Sequence, residues 1–184
     1  MANDAGSDNP RPEDERTSQH PVDILIREII RTRRPATDNE IEQIINRIAD
    51  VPFNPDMVGV PRKHQGLRYQ GRVVRKHDDS LFVHLVQRVL LEDQWKDGTS
   101  VEEYLGDLRA AILDTRARLL IYHRRGGSIA GVFVTNSVPI ARRGRKHEPY
   151  LYVVYSADRG IIISGYQVSG VEQISISGEP LWLR

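Results

Sequence analysis

The stretches Leu119–Thr135 (LLIYHRRGGSIAGVFVT) and Tyr150–Val168 (YLYVVYSADRGIIISGYQV) decide the fold of this 184-residue chain. Both are rich in β-branched and aromatic residues, and turn-forming residues divide each of them, at 126–127 and at 158–160. They therefore predict two hairpins, whose four strands follow one another as an antiparallel meander. The predicted strands are 119–124, 128–135, 150–156 and 161–168.

Helices are predicted before this sheet, because apolar residues recur there every three or four positions. Two of them start with a capping box, Thr37 with Glu40 and Ser100 with Glu103. The predicted helices are 21–34, 38–50, Leu81–Gln94 with Ser80 as its cap, and a last one that begins at Val101. Helices followed by an antiparallel sheet of four to five strands place the chain in the α+β class.

The remaining segments are connections or additional strands. Residues 51–64 contain three prolines and a glycine and are expected to be an extended connection. Leu67–Arg75 is expected to be a strand that Gly71 interrupts. A fifth strand of the main sheet is expected at Gly170–Ile176, and Leu181–Leu183 is expected to pack at the end of the chain.

Three segments are expected along the chain. Residues 1–20 form an acidic tail, and residues 1–18 contain five acids, two arginines and almost no apolar side chain, which predicts disorder. Residues 21–55 form a helical pair of unknown role, and for residues 1–55 three roles stay open: a delivery segment, an antitoxin-binding arm or part of the core. Residues 62–184 form an α+β domain that carries the candidate site.

The composition excludes several kinds of site. The chain has no Cys, which removes thiol nucleophiles, iron–sulfur clusters, cysteine-ligated zinc and disulfides. No apolar run approaches the roughly 18 residues that a membrane span needs. The sequence also lacks a P-loop, a dinucleotide-binding glycine fingerprint, a zinc-protease motif and a nucleophile elbow. We therefore expect no metal, no cofactor and no membrane contact.

The net charge of +1 is the balance of segregated blocks. Arg62–His77 contains six Lys and Arg, Arg116–His147 contains eight, and neither block contains an acid, whereas Glu92–Asp114 contains seven acids. If the two basic blocks converge on one face, that face attracts a polyanion such as nucleic acid. The alternative is that each block is a set of solvated side chains on loops.

One candidate pair for chemistry lies on the helix predicted at Leu81–Gln94. His84 and Arg88 are four residues apart, so their side chains share a helix face in an otherwise apolar stretch. An imidazole can move a proton near neutral pH, and a guanidinium can grip a phosphate through two hydrogen bonds. The alternative is a boundary histidine beside an arginine that bridges to an acidic neighbour such as Glu92.

A second candidate pair lies on the last strand of the meander. Because side chains alternate along a strand, Ser164 and Tyr166 are expected on one face, and Ile163 and Gly165 on the other. A glycine inside a strand often marks a close approach of ligand or backbone. Two hydroxyls on one face suit the binding of a phosphate or a ribose hydroxyl, although a solvated Ser–Tyr stripe is an equally plain interpretation.

These motifs resemble those of the superfamily of metal-independent ribonuclease toxins that groups barnase, EndoU, colicin-type tRNA nucleases and RelE, in its phage and polymorphic-toxin members. The resemblance rests on the helical His84-x-x-x-Arg88 and on the paired strands LYVVY (151–155) and IIISGY (161–166). It covers about residues 62–170. Ser164 stands where these toxins more often have Thr, and no second acid–base residue is placed by the motif.

The resemblance implies an endoribonuclease toxin, a hydrolase that binds RNA and cleaves it by attack of the 2′-hydroxyl on the adjacent phosphodiester. His84 would act as base or acid, Arg88 would stabilise the phosphorane, and Ser164 and Tyr166 would position the phosphate or the leaving group. The implied partners are RNA and an immunity protein or antitoxin. The toxin would act in the cytoplasm, where it is made or after delivery into a target cell.

Further binding residues are drawn from the basic blocks. The candidate acid–base or phosphate partners are Arg75, Lys76, His77 and His123, and the loop residues expected to bind the RNA backbone are Arg142, Arg143, Arg145 and Lys146. Whether the protein is an enzyme stays open. A non-catalytic binding domain would merge the basic blocks in one patch, and a phage-associated interaction domain, in which His84 and Arg88 serve packing, would show neither the patch nor the cleft. Only the enzyme requires His84 and Arg88 to face an open cleft with Ser164 and Tyr166 across from them.

Overall fold

The elements follow the predicted order, with helices first and the main sheet last. The computed structural model describes residues 17–125 and 127–184. The helices are α1 (Pro21–Thr32), α2 (Asp38–Asp50), α3 (Ser80–Val86), which continues as a π-helical segment (Gln87–Leu91), and α4 (Val101–Ile112). The strands are β1 (Met57–Gly59), β2 (Arg68–Tyr69), β3 (Arg72–Val73), β4 (His77–Asp79), β5 (Arg118–Arg124), β6 (Gly127–Thr135), β7 (Tyr150–Ser156), β8 (Ile161–Val168) and β9 (Ser177–Trp182).

The main sheet has the antiparallel order β8-β7-β6-β5-β9, and the predicted α+β class is confirmed. The meander β5–β8 matches the predicted strands to within one residue. The register pairs Arg124 with Gly127, so Gly127 already belongs to β6, whereas Gly126 of the predicted turn lies outside the described residues.

The position of the fifth strand was wrong. β9 is Ser177–Trp182 and pairs with β5, at the edge of the sheet opposite β8. The chain must therefore cross from one edge to the other between 169 and 176, which leaves Gly170–Ile176 as a crossing segment. Ile174 of this segment is buried against the sheet, and the predicted packing of 181–183 is confirmed because Leu181 contacts the core.

Both predicted capping boxes are formed, which explains where α2 and α4 begin. The predicted cap of α3 was wrong by one residue, because the Asp79 carboxylate, and not Ser80, accepts a hydrogen bond from the Phe82 N–H at 2.8 Å. Asp caps helices as well as Ser does, so the sequence alone could not decide between the two neighbours. The helix also ends at Leu91 rather than Gln94.

The segment between α2 and α3 is more structured than its prolines predict. β1, which lies within the expected extended connection, pairs with β4. The strand expected at Leu67–Arg75 is instead the hairpin β2–β3, and the residues of its turn, Gln70 and Gly71, have φ of 48° and 79°. A positive φ at both central residues is the geometry of a type I′ hairpin turn, so Gly71 reverses the chain.

The sheet has two different faces. The helices α1, α2 and α4 cover one of them, and Ile26, Ile44 and Ile121 belong to the same buried core as the rest of that layer. The other face, called here the outer face, carries a second cluster. Its large side chains are Tyr122, Phe133, Tyr150, Tyr152, Tyr166 and Trp182. The helical pair of open role is thus packed into the core of the sheet.

The last residues of the predicted acidic tail contact the sheet. Residues 1–16 lie outside the described residues, but the N–H of Ser18 donates to the carbonyl of Asp158 in the β7–β8 turn at 2.6 Å. The Ser18 hydroxyl also donates to Asp23 at 2.6 Å. Within residues 17–125 and 127–184, none of the helices combines the length and the apolar character needed to cross a bilayer.

Candidate active site

A cleft of about 590 Å³ lies beside the edge strand β8 and contains all four residues of the two sequence motifs. We call it the β8 cleft. Its lining residues are His84, Arg88, Glu92, Gln94, Arg124, Ile163, Ser164, Tyr166, Gln167, Val168 and Gln173. His84 and Arg88 come from α3 and its π-helical continuation, so the structure joins segments separated by about 80 positions in the chain.

A bulge in β8 shapes the wall of the cleft. Val154 pairs with Ser164 and Tyr155 pairs with Ile162, so Ile163 is an extra residue without a partner on β7. Ser164 and Tyr166 both line the cleft, as the alternation predicts. Ile163 was expected on the face opposite to them, and this was wrong, because the bulge turns it into the cleft.

Gly165 is required where β8 meets α4. A Cβ atom at this position would lie 2.4 Å from Leu108 Cδ2, closer than packed atoms approach. The carbonyl of Gly165 points away from the sheet and accepts hydrogen bonds from Tyr104 Oη at 2.6 Å and from Arg88 Nε at 3.2 Å. The glycine that interrupts the strand pattern therefore allows a close approach of protein to protein, and its carbonyl anchors Arg88.

Arg88 is buried, with 6% of its surface exposed, and its guanidinium is surrounded by protein partners. Besides the Gly165 carbonyl, it donates through Nη2 to Ser164 Oγ at 3.2 Å and through Nη1 to the Glu92 carboxylate at 2.5 Å. Its Cζ lies 4.9 Å from the centre of the Tyr166 ring. Arg88 thus contacts both residues of the second candidate pair, Ser164 and Tyr166. It also forms the ion pair with Glu92 that the non-functional interpretation of His84 and Arg88 predicted.

His84 lies at the junction of the cleft and the core. Its ring packs edge-on against Phe53, with 5.5 Å between ring centres, and its Nδ1 lies 3.5 Å from Ser164 Oγ, a long hydrogen bond. Burial lowers the pKa of His84 to about 4, and electrostatic interactions with Arg88 and then His64 add to this effect. The imidazole is therefore neutral at neutral pH and has a free lone pair for a proton.

Ser164 connects the two helix residues. Its hydroxyl accepts a hydrogen bond from Arg88 and has a second lone pair for the Nδ1–H of His84, and in that tautomer the imidazole keeps its own lone pair on Nε2. Tyr166 lies on the same side, and burial raises the pKa of its phenol, which keeps the hydroxyl protonated as a hydrogen-bond donor. The two motifs therefore present a proton acceptor and a hydroxyl donor in one cleft.

The sequence motifs missed several residues of the cleft. Gln94 fixes the loop after the π-helical segment to β8, since its amide pairs with both the N–H and the carbonyl of Gln167 at 2.9 Å. Arg124 comes from the end of β5, and Gln173 comes from the crossing segment. Alternation along β5 places Arg124 on the face of Tyr122, but only the strand order shows that this face reaches the cleft.

The residues expected to bind the RNA backbone lie elsewhere. In the basic loop, Arg142 pairs with Asp107 at 2.5 Å and Arg145 pairs with Asp93 at 2.7 Å, so part of the basic block contacts the acidic block. Arg143 donates to the carbonyl of Val138, and the N–H of Lys146 donates to the carbonyl of Asp93. None of these four residues lines the β8 cleft.

The candidate partners from the first basic block and from β5 also lie outside the cleft. Arg75 and His77 line a separate cavity of about 630 Å³ beside the β2–β3 hairpin, and Lys76 contributes its carbonyl to a hydrogen bond with the N–H of Val60. His123 is exposed and, one position before Arg124 on the strand, points to the opposite face of the sheet.

In the part of the chain that the structure describes, no three His, Asp or Glu side chains come together in a way that suits a metal ion. Comparison with known protein families, with curated proteins and with solved structures finds no match for this chain.

Proposed function

We propose that this protein is a metal-independent endoribonuclease of the toxin type, which cleaves RNA by attack of a 2′-hydroxyl on the adjacent phosphodiester. One observation carries the proposal. His84, Arg88, Ser164 and Tyr166, chosen from two motifs far apart in the chain, line one cleft and contact one another. The resemblance of these motifs to the ribonuclease toxins supports the choice of RNA as substrate.

His84 takes the role of general base in this reaction. Its neutral imidazole accepts the proton of the 2′-hydroxyl while the bond from the 2′-oxygen to phosphorus forms. The bond from phosphorus to the 5′-oxygen breaks, and the leaving oxygen takes a proton from the Tyr166 hydroxyl. His84 later releases its proton as Tyr166 regains one. The products are a 2′,3′-cyclic phosphate and a free 5′-hydroxyl.

Ser164 and Arg88 hold this arrangement. The Ser164 hydroxyl lies between Arg88 and His84, so it fixes the imidazole on the side of the cleft. Burial, and next to it the positive charge of Arg88, keeps the pKa of His84 low, which keeps the base unprotonated in the absence of substrate. A bound phosphate would offset that charge and make His84 a stronger base when RNA is present.

The test is cleavage of a defined single-stranded RNA by the purified full chain, with and without EDTA. We expect fragments that end in a 2′,3′-cyclic phosphate, identified by mass spectrometry, whereas the all-deoxy oligonucleotide stays intact. His84→Ala should lower the rate about 100-fold or more, the usual contribution of a general base. His20→Asn is the matched control, because His20 is an exposed histidine that caps α1 and lies outside the β8 cleft.

Two outcomes would count against the proposal. RNA that stays intact under these conditions would favour a non-catalytic nucleic-acid-binding or phage-associated interaction domain. Cleavage that His84→Ala leaves unchanged would show that His84 is not the general base.

Expression gives a second test, since a toxin should arrest the growth of its host as wild type and be tolerated as His84→Ala.

A further inference from the structure

The guanidinium of Arg88 already donates hydrogen bonds to other groups of the protein, which limits how it could bind a phosphate in the β8 cleft. Each of its three nitrogens has a partner: the Gly165 carbonyl, Ser164 Oγ and the Glu92 carboxylate. With 6% of the residue exposed, a phosphate could reach the guanidinium only by displacing one of them. A residue held in this way positions its neighbours and is a poor direct ligand for substrate.

The charge balance of the cleft points to another residue. Three charged side chains line the cleft at neutral pH, and those of Arg88 and Glu92 neutralise each other in a short ion pair. His84 is neutral there because burial lowers its pKa to about 4. The net positive charge of the cleft therefore comes from Arg124.

Arg124 is also placed to use its donors on a ligand. It is half-buried, and no hydrogen bond or ion pair joins its side chain to another residue of 17–125 or 127–184. It extends over the outer face, where Tyr122 and Tyr152 share a hydrogen bond at 2.5 Å and Tyr152 packs edge-on against Tyr166. Its positive charge is felt by the Tyr166 phenol, whose pKa it lowers against the larger effect of burial.

We infer that Arg124 is the residue that contacts a phosphate of the bound RNA backbone, and that Arg88 is a positioning residue for Ser164, Glu92 and β8. The inference deepens the proposed function and rests on it for the identity of the polyanion. A single-stranded RNA bound in this way has one phosphate between the donors of Arg124 on β5 and the pair formed by Ser164 of β8 and His84 of α3. One side of the cleft, at Arg124, then binds the phosphate, and the other side, at His84, transfers the proton.

The experiment measures binding of a labelled single-stranded oligodeoxynucleotide, which lacks the 2′-hydroxyl and cannot be cleaved. Arg124→Ala should weaken its binding about 10-fold, the usual loss for one charge-assisted hydrogen bond. The slope of log K against log salt should fall by about 1, since one phosphate contact is lost. Arg124→Lys should recover part of the affinity because the charge is kept.

Arg118→Ala is the matched control. Arg118 lies on the same strand and the same face as Arg124, stacks on Trp182 at 4.0 Å, and lies outside the cleft, while its removal changes the net charge equally. Equal loss of affinity and of salt slope in both variants would overturn the inference. An Arg88→Met/Glu92→Gln variant that loses as much affinity as Arg124→Ala would also overturn it.

The outcome also separates this inference from the proposed function. If the protein binds the oligonucleotide through Arg124 but leaves RNA intact, the phosphate contact of Arg124 is supported and the proposed ribonuclease activity is rejected. If RNA is cleaved and Arg124→Ala changes neither KM nor oligonucleotide affinity, the ribonuclease activity is supported and Arg124 has no phosphate contact.

Discussion

At the scale of single residues, the site depends on one arginine that serves structure and chemistry together. Arg88 holds Ser164 and the Gly165 carbonyl in place, and its charge acts on His84. The sequence predicted the four motif residues because spacing along a helix or strand shows which side chains share a face. It could not show that Arg124 joins them, because that depends on the order of strands in the sheet.

The pH dependence of cleavage tests the state of His84. The pKa of His84 is lowered to about 4 in the free protein, and the base must be unprotonated. We therefore expect kcat/KM to rise with pH through about 4 and to stay level toward neutral pH, because this ratio reports the free enzyme. An NMR titration of the His84 ring measures the same pKa directly.

The variant Arg88→Met/Glu92→Gln provides the control for the pH profile. It removes the positive charge that disfavours the imidazolium and the carboxylate that would otherwise be left unpaired. The pKa of His84 should therefore rise, and the acid limb of kcat/KM should move to higher pH. A purely structural Arg88 would lower the rate and leave the acid limb where it is.

At the scale of elements, local signals predicted the capping boxes and the meander, while the edges of the sheet were not predictable. β8 is an edge strand, and an edge strand exposes backbone groups that can pair with another chain. Here Pro52 and Asn54 contact the backbone of Ile162, and the Gln94 amide pairs with the backbone of Gln167. These partners come from loops, whose conformation follows from tertiary contacts rather than from periodicity.

Removal of the Gln94 amide should destabilise this edge. Gln94→Leu leaves the N–H and the carbonyl of Gln167 without their partners, which we expect to cost about 1–3 kcal/mol in the free energy of unfolding. Urea denaturation measures this loss, and light scattering should detect association through the uncovered edge. Gln43→Leu, on the exposed face of α2, is the control and should change neither. Equal effects of the two substitutions would show that the edge does not need the amide.

At the scale of the whole molecule, the first two helices and the sheet share a buried polar contact as well as a core. Asp23 of α1 is fully buried and accepts hydrogen bonds from Arg47 of α2 at 3.1 Å and from the Tyr155 hydroxyl of β7. The sequence left three roles open for residues 1–55 because an amphipathic helix pair does not show what covers its apolar face. The structure places the two helices, α1 and α2, in the core, and the roles in delivery and antitoxin binding stay untested.

Because the helices complete the core, the segment 62–184 should not fold without them. The segment 62–184 would expose the face of the sheet that α1 and α2 cover, including Leu119 and Ile121, and would lack Asp23, the hydrogen-bond partner of Tyr155. We expect a poorly dispersed NMR spectrum and no cooperative thermal transition for 62–184, whereas residues 17–184 should unfold in one transition. Asp23→Asn in the longer chain should lower the free energy of unfolding by about 3 kcal/mol, because it leaves Arg47 without its buried partner. A well-dispersed spectrum for 62–184 would instead show that the sheet and the later helices form an independent domain to which the first two helices are appended.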